Sequence, residues 1–123
     1  MSFPTADPEA EAIYHRAVDR LAEGDFPAAV ANFRAALAID PSLADAAHGL
    51  IHALKSAGKL DEAVFEAEKL IAADPDDVLA CTSLSILYQH QGKIAEAEAA
   101  ATRAKLLGWK QQLREQRLAE EKP

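Results

Sequence analysis

The chain has 123 residues, half of them hydrophobic, which is enough to bury a sizeable core within one domain. No stretch approaches the roughly 20 consecutive apolar residues of a membrane-spanning helix, and the first residues lack the basic and apolar regions of a secretory signal, so the sequence predicts a cytoplasmic protein. The formal net charge of −7, with no basic stripe interleaved with aromatic residues, argues against nucleic acid and favours a basic or neutral peptide as partner.

The first two predicted helices have clear start and stop signals. Asp7 followed by Pro8 is typical of a capped helix start, and this helix is expected to run to about residue 23, where Gly24 ends it. Asp25 starts the second helix, and Asp40-Pro41 stops it, because proline disfavours helical geometry in the residue before it. The apolar face of the second helix carries Phe26, Val30, Phe33 and Leu37.

Four further helices are predicted in the same way. Ser42, with Asp45 three residues later, resembles a capping box and opens a helix that closes at Gly58. The next helix carries an apolar stripe from Leu60 and ends at Asp74-Pro75. The last two are expected over about 77–90 and 94–107, so that six helices form three pairs.

A different signal follows the sixth helix, where Gly108-Trp109 stands in place of Asp-Pro. Without the proline a further helix can begin at once, and we predict one over about 109–121, with Trp109 and Leu113 covering the apolar face of the last pair. The alternative is a frayed terminal segment. From Trp109 onward the sequence holds four bases against three acids, whereas residues 1–108 hold 17 acids and 9 bases.

The helix pairs repeat with a fixed period. Gly24, Gly58 and Gly92 stand 34 residues apart, as do the small residues Ala29, Ala63 and Ala97. The period and residue types resemble the tetratricopeptide repeat over residues 10–108, with repeats at about 10–43, 44–77 and 78–108 and a capping helix at about 109–121. The resemblance implies one all-α domain, a right-handed α-α superhelix (solenoid) of three helix pairs with a C-terminal capping helix, acting in protein binding.

In the family that the chain resembles, the first helices of successive repeats line a concave groove. Carried onto this sequence, that groove face (hereafter the predicted groove face) consists of Tyr14, His15, Val18, His48, Gly49, His52, Thr82, Ser83, Ile86, Gln89 and His90. All four histidines fall on it. His48 and His52 have a spacing that can chelate a metal, but two ligands make an incomplete site, so we predict no metal and no cofactor. Partner-contacting or solvated imidazoles are the main interpretation, and a face that gains charge near pH 6 is an alternative.

Some members of the family grip the C-terminal carboxylate of heat-shock chaperones with Lys, Asn and Arg side chains. The corresponding positions here hold Tyr14, Val18, Gly49, Leu79 and Ser83, so no part of that clamp is present. The charge-assisted contacts of such a clamp are therefore not available to this chain. The groove is expected to be small, aromatic and uncharged at its ends, which favours an extended or helical segment with apolar anchors.

Catalytic motifs are missing: we find no phosphate-binding loop, no dinucleotide fingerprint and no hydrolase or zinc-protease signature. Cys81, the single cysteine, is expected to be a buried, inert thiol. The sequence therefore predicts a non-enzymatic interaction module, an adaptor or chaperone-like scaffold that binds a segment in the groove. The alternative is a small permanent subunit that docks into a larger complex through its convex face or its ends. Metal-dependent sensing is a third, weaker hypothesis.

Overall fold

The structure is a computed structural model that describes residues 7–121. Within these residues it contains no strand, and its helices are α1 (Pro8–Ala22), α2 (Phe26–Ile39), α3 (Ala44–Ser56), α4 (Leu60–Ala73), α5 (Val78–His90) and α6 (Ile94–Glu120). No helix in the described part of the chain has both the length and the apolar character needed to cross a bilayer. The predicted all-α fold of three helix pairs is confirmed.

The same turn joins the two helices of every pair. Gly24, Gly58 and Gly92 have φ of 80°, 79° and 76°, a left-handed conformation that glycine adopts without steric cost. In the first turn the Gly24 N–H donates to the Leu21 carbonyl at 3.1 Å and the Asp25 N–H donates to the Arg20 carbonyl at 2.9 Å. Equivalent bonds recur at the other two glycines, so the predicted 34-residue period corresponds to a repeated C-cap.

The helices form two compact units, unit 1 up to Glu66 and unit 2 from Ala67 onward. In unit 1, α2 packs against both α1 and α3. Phe33 of α2 is fully buried, and its ring lies so close to α3 that a Cβ on Gly49 would overlap it. Small residues complete this core on α1 and α2, namely Ala10, Ala17, Ala29 and Ala36, each 0% exposed.

The start of α3 differs from the prediction. Ser42 does not cap this helix: Leu43 occupies the N-cap position, and no side chain bonds to the free N–H groups. The Ser42 hydroxyl instead donates to Asp40 Oδ1 at 2.6 Å, and the Ser42 N–H donates to the same oxygen at 3.1 Å. The predicted capping box is therefore wrong, because the Asp40 side chain binds the serine within the turn that follows α2.

Unit 2 contains the last part of α4, the whole of α5 and the whole of α6. In this unit α5 packs against α6. Leu87 is fully buried, and Ala80, Ala97, Ala100 and Ala104 are also buried. The Ser85 hydroxyl, 5% exposed, donates to the Ala97 carbonyl at 2.9 Å and ties α5 to α6. Asp77 caps α5, since its side chain accepts from the Ala80 N–H at 3.0 Å.

The C-terminal capping segment is helical, but it is the continuation of α6 and no break occurs at Gly108. Trp109 and Leu113 are 59% and 65% exposed, so the prediction that they cover the apolar face of the last pair is wrong. The reason is helical phase. At about 100° per residue, both lie opposite the buried face of α6, whereas Gln111 lies on it and donates to the Asp76 carbonyl at 3.1 Å.

Candidate functional site

The α1 part of the predicted groove face is accessible and partly anchored. Tyr14 is half-buried, with its ring centroid 5.9 Å from that of Phe33 and 5.3 Å from that of His15. His15 is exposed, and Val18 is 39% exposed. The contact with a fully buried ring holds the Tyr14 side chain in place and leaves part of its surface available to a partner.

The α3 part of the face combines one core-packing position with two histidines. Gly49 belongs to the contact with Phe33, so its role here is close helix packing. His48 is half-buried with its Nδ1 atom inaccessible to solvent, and His52 is exposed. α1 and α3 touch each other within unit 1. The exposed residues His15 and Val18 of α1 and His52 of α3 therefore lie on helices that are in contact with each other.

The remaining predicted residues all lie on α5 in unit 2. Thr82, Gln89 and His90 are exposed, while Ser83 and Ile86 are half-buried. The Thr82 hydroxyl donates to the Val78 carbonyl at 3.0 Å, one turn back on the same helix. Within residues 7–121 no group of three or more His, Cys, Asp or Glu side chains is placed to hold a metal ion.

A surface that sequence reasoning missed lies on α4 in unit 1. Phe65 is 63% exposed and lines a depression of about 350 Å³. We call this surface the α4 depression; its lining residues are Arg34, Asp61, Glu62, Phe65 and Glu66. The Arg34 guanidinium donates to Glu62 and to Glu66, each at 3.4 Å. The only sequence signal was an aromatic residue outside the apolar stripe of its helix.

Unit 2 has its own cavity of about 300 Å³ beside α5, with Leu84, Tyr88 and Glu96 among its lining residues. The Tyr88 hydroxyl donates to Glu68 at 2.9 Å. Burial raises the pKa of Tyr88, and the hydrogen bond to Glu68 and the nearby carboxylates raise it further. Tyr88 therefore stays neutral and acts as a hydrogen-bond donor across the neutral pH range.

Cys81 also lines this cavity and is 1% exposed, which confirms the predicted buried thiol. Burial raises the pKa of the Cys81 thiol, and Arg103 opposes this effect only in part. The thiolate is the reactive form of cysteine, so both burial and the raised pKa lower the reactivity of this side chain.

We expect a disulfide reagent such as DTNB to label the native chain at least about 100-fold more slowly than the urea-unfolded chain. The native rate should keep rising with pH after the unfolded rate has levelled, because the folded thiol has the higher pKa. For the same reason, stability should fall as pH rises past the ordinary thiol pKa. Cys81→Ala is the blank for the assay, and native labelling as fast as that of the unfolded chain would contradict the prediction.

Sequence comparison identifies the class of protein. The tetratricopeptide repeat family matches residues 20–84, just over half of the chain. The chain therefore belongs to the tetratricopeptide repeat family, as the 34-residue period predicted. No curated protein matches the sequence.

Several solved structures are similar in fold to this chain. The chain is similar to MamA, with 27% identity over 83% of this chain and a TM-score of 0.78, and it spans 60% of the MamA chain. It is similar to the Yersinia enterocolitica type III secretion translocator chaperone SycD, with 22% identity, 82% and 76% of the two chains covered and a TM-score of 0.77. The second TPR of Spaghetti (RPAP3), bound to the HSP90 peptide SRMEEVD, is 21% identical, with 81% and 93% of the chains covered and a TM-score of 0.74.

Proposed function

We propose that the chain is a non-enzymatic, cytoplasmic interaction module that binds a peptide or protein segment along the predicted groove face, as an adaptor or chaperone-like scaffold. The observation that carries the proposal is the α1 surface in unit 1, where Tyr14 rests on Phe33 beside the 39% exposed Val18. An aromatic side chain that is already held in place loses little conformational entropy when a partner covers it.

The chemistry of this face indicates the kind of segment that it would bind. Its exposed side chains on α1 and α3 include His15, Val18 and His52, and none of these carries a fixed charge. RPAP3 is solved with an HSP90 peptide and SycD is a secretion chaperone, which supports protein binding as the general function. Because the positions of the carboxylate clamp hold other residues here, we propose apolar anchors in the bound segment.

A variant that alters exposed residues of the predicted groove face tests the proposal. Val18→Glu with His52→Glu should lower affinity for the bound segment about tenfold or more, because carboxylates would be buried against apolar anchors. Tyr14 is less suitable, since its removal would also disturb Phe33. Partners that co-purify with the chain from its native cell are quantified by mass spectrometry, and the affinity of an identified segment is then measured by calorimetry.

The matched control is Ile39→Glu, because Ile39 at the end of α2 is 38% exposed, close to the 39% of Val18. Circular dichroism should be unchanged in both variants. If the variant with Val18→Glu and His52→Glu keeps its helix content and retains every partner, binding does not use this face.

A permanent subunit that docks through its convex face or ends is the second candidate, and the exposed Phe65 favours it. The test must avoid acidic residues with internal roles: Glu66 pairs with Arg34, and Glu68 accepts from Tyr88. Phe65→Ser with Glu98→Lys changes exposed positions instead. If this variant loses a stoichiometric partner that the variant with Val18→Glu and His52→Glu retains, the result favours a permanent subunit of a larger complex.

A further inference from the structure

The end of α6 presents an apolar face that is exposed in the described part of the chain. Beyond Gln111, which bonds to the turn before α5, the helix continues for about 13 Å at 1.5 Å per residue. Leu106, Trp109 and Leu113 are 56%, 59% and 65% exposed and follow one another at spacings of three and four residues. They form one stripe on the face opposite the buried Ala97, Ala100 and Ala104, and we call it the tail stripe.

The charges beside the tail stripe are basic. On a helical projection, Lys105 lies on one side of the stripe, and Lys110 and Arg117 lie on the other, and all three are exposed. Two tail stripes placed side by side, parallel or antiparallel, would bring like charges together along their edges. The stripe therefore suits an apolar surface with an acidic border better than it suits a second stripe.

The α4 depression is a surface of that kind. Phe65 supplies an exposed apolar side chain, and Asp61, Glu62 and Glu66 supply three carboxylates. Arg34 is the base among the described residues of this lining, and it pairs with Glu62 and Glu66. The depression therefore keeps an excess of negative charge, and its volume of about 350 Å³ falls within the range that accepts a side chain as large as an indole.

We propose that the chain associates head to tail with a second copy of itself, the tail stripe of one copy docking in the α4 depression of the next. Such a contact joins two different patches, so each bound copy still offers one free patch and association can continue past the dimer. The area involved is small, and the contact is therefore weak and dependent on concentration and ionic strength. It uses neither Tyr14 nor Val18, so it goes beyond the proposed groove binding.

Trp109, the single tryptophan, provides a direct probe of this contact. The full chain is studied by sedimentation velocity and tryptophan emission over about 5–500 µM, a range that spans weak association. We expect the mean mass to rise with concentration while the emission moves to shorter wavelength, because the indole leaves water. Added salt should reverse both changes.

Two variants separate this contact from every other mode of association. Leu113→Asp breaks the tail stripe and keeps Trp109, whereas Phe65→Asp breaks the α4 depression and leaves the tail intact. Both positions are exposed, so circular dichroism should be unchanged. Each variant alone should associate at least about tenfold more weakly than the parent chain. An equimolar mixture should form a one-to-one dimer and nothing larger, because only one intact pair of patches remains.

A monomer with unchanged emission over the whole concentration range would overturn the proposal, because the tail stripe would then not bind a second copy of this chain. Association abolished by Leu113→Asp but unaffected by Phe65→Asp would also overturn it and would indicate contact between tails. A mixture that stays monomeric, although the parent chain associates, would exclude the head-to-tail arrangement.

Discussion

Replacement of Phe33 by alanine should lower the free energy of unfolding by about 3–5 kcal/mol, the usual cost of truncating a buried phenylalanine. Phe33 is 0% exposed, contacts the Tyr14 ring and fills the space above Gly49, so its loss would leave a cavity where α1, α2 and α3 meet. Against a total stability of about 5–15 kcal/mol, this is a large fraction. Urea denaturation followed by circular dichroism measures it.

Phe65→Ala is the matched control, because it removes the same side chain from a position that is 63% exposed. Its effect should stay within about 0.5 kcal/mol, since little apolar surface returns to water. Equal losses in the two variants would mean that Phe33 does not occupy a core position.

Gly49→Ala should destabilise the chain by about 1–3 kcal/mol, although alanine is the better helix former by about 1 kcal/mol. The added Cβ would overlap ring carbons of Phe33, and the Phe33 side chain is fully buried. Either the ring must leave its preferred rotamer or α2 and α3 must move apart. The thermal midpoint and the urea midpoint should both fall.

Gly108→Ala is the corresponding control within a helix, because a Cβ there would meet nothing within 4 Å. We expect this substitution to raise stability by up to about 1 kcal/mol, so the two glycine variants should differ in sign. The cost of Gly49→Ala should also shrink in a Phe33→Leu background, where the overlapping ring is gone. Additive effects of the two substitutions would contradict direct contact between these residues.

Much of the fold could be predicted from the sequence because its signals are local. The turn glycines, the Asp-Pro pairs and the capping aspartates Asp7, Asp25 and Asp77 each act within a few residues of their position. Ser42 shows the limit of such reasoning. A serine that fits a capping box can also bond to a preceding aspartate, and the sequence does not say which acceptor is used.

The C-terminal part of α6 was harder to predict, because glycine followed by tryptophan permits both a break and a continuation. The sequence did contain the helical phase that decides the exposure of Trp109, but that phase can be read only if the helix is known to be continuous. The predicted groove face is similar. Its residues were assigned from the family pattern, yet the packing of Tyr14 and Gly49 on Phe33 depends on contacts between helices. The α4 depression likewise depends on Arg34 and α4 coming together.

The repeated glycine turn carries a consequence for how such a chain changes over evolutionary time. Each turn closes its hydrogen bonds within six consecutive residues, so a duplicated 34-residue segment would bring with it everything that its own turn requires. A duplicated turn therefore needs no compensating substitution, whereas the packing between repeats, such as Phe33 against Gly49, still requires complementary side chains. At Gly108, however, the chain lacks the proline that follows Asp40 and Asp74 at the ends of α2 and α4, and the helix runs on. The Gly108-Trp109 dipeptide thus allows α6 to continue at the position where Asp-Pro ends α2 and α4.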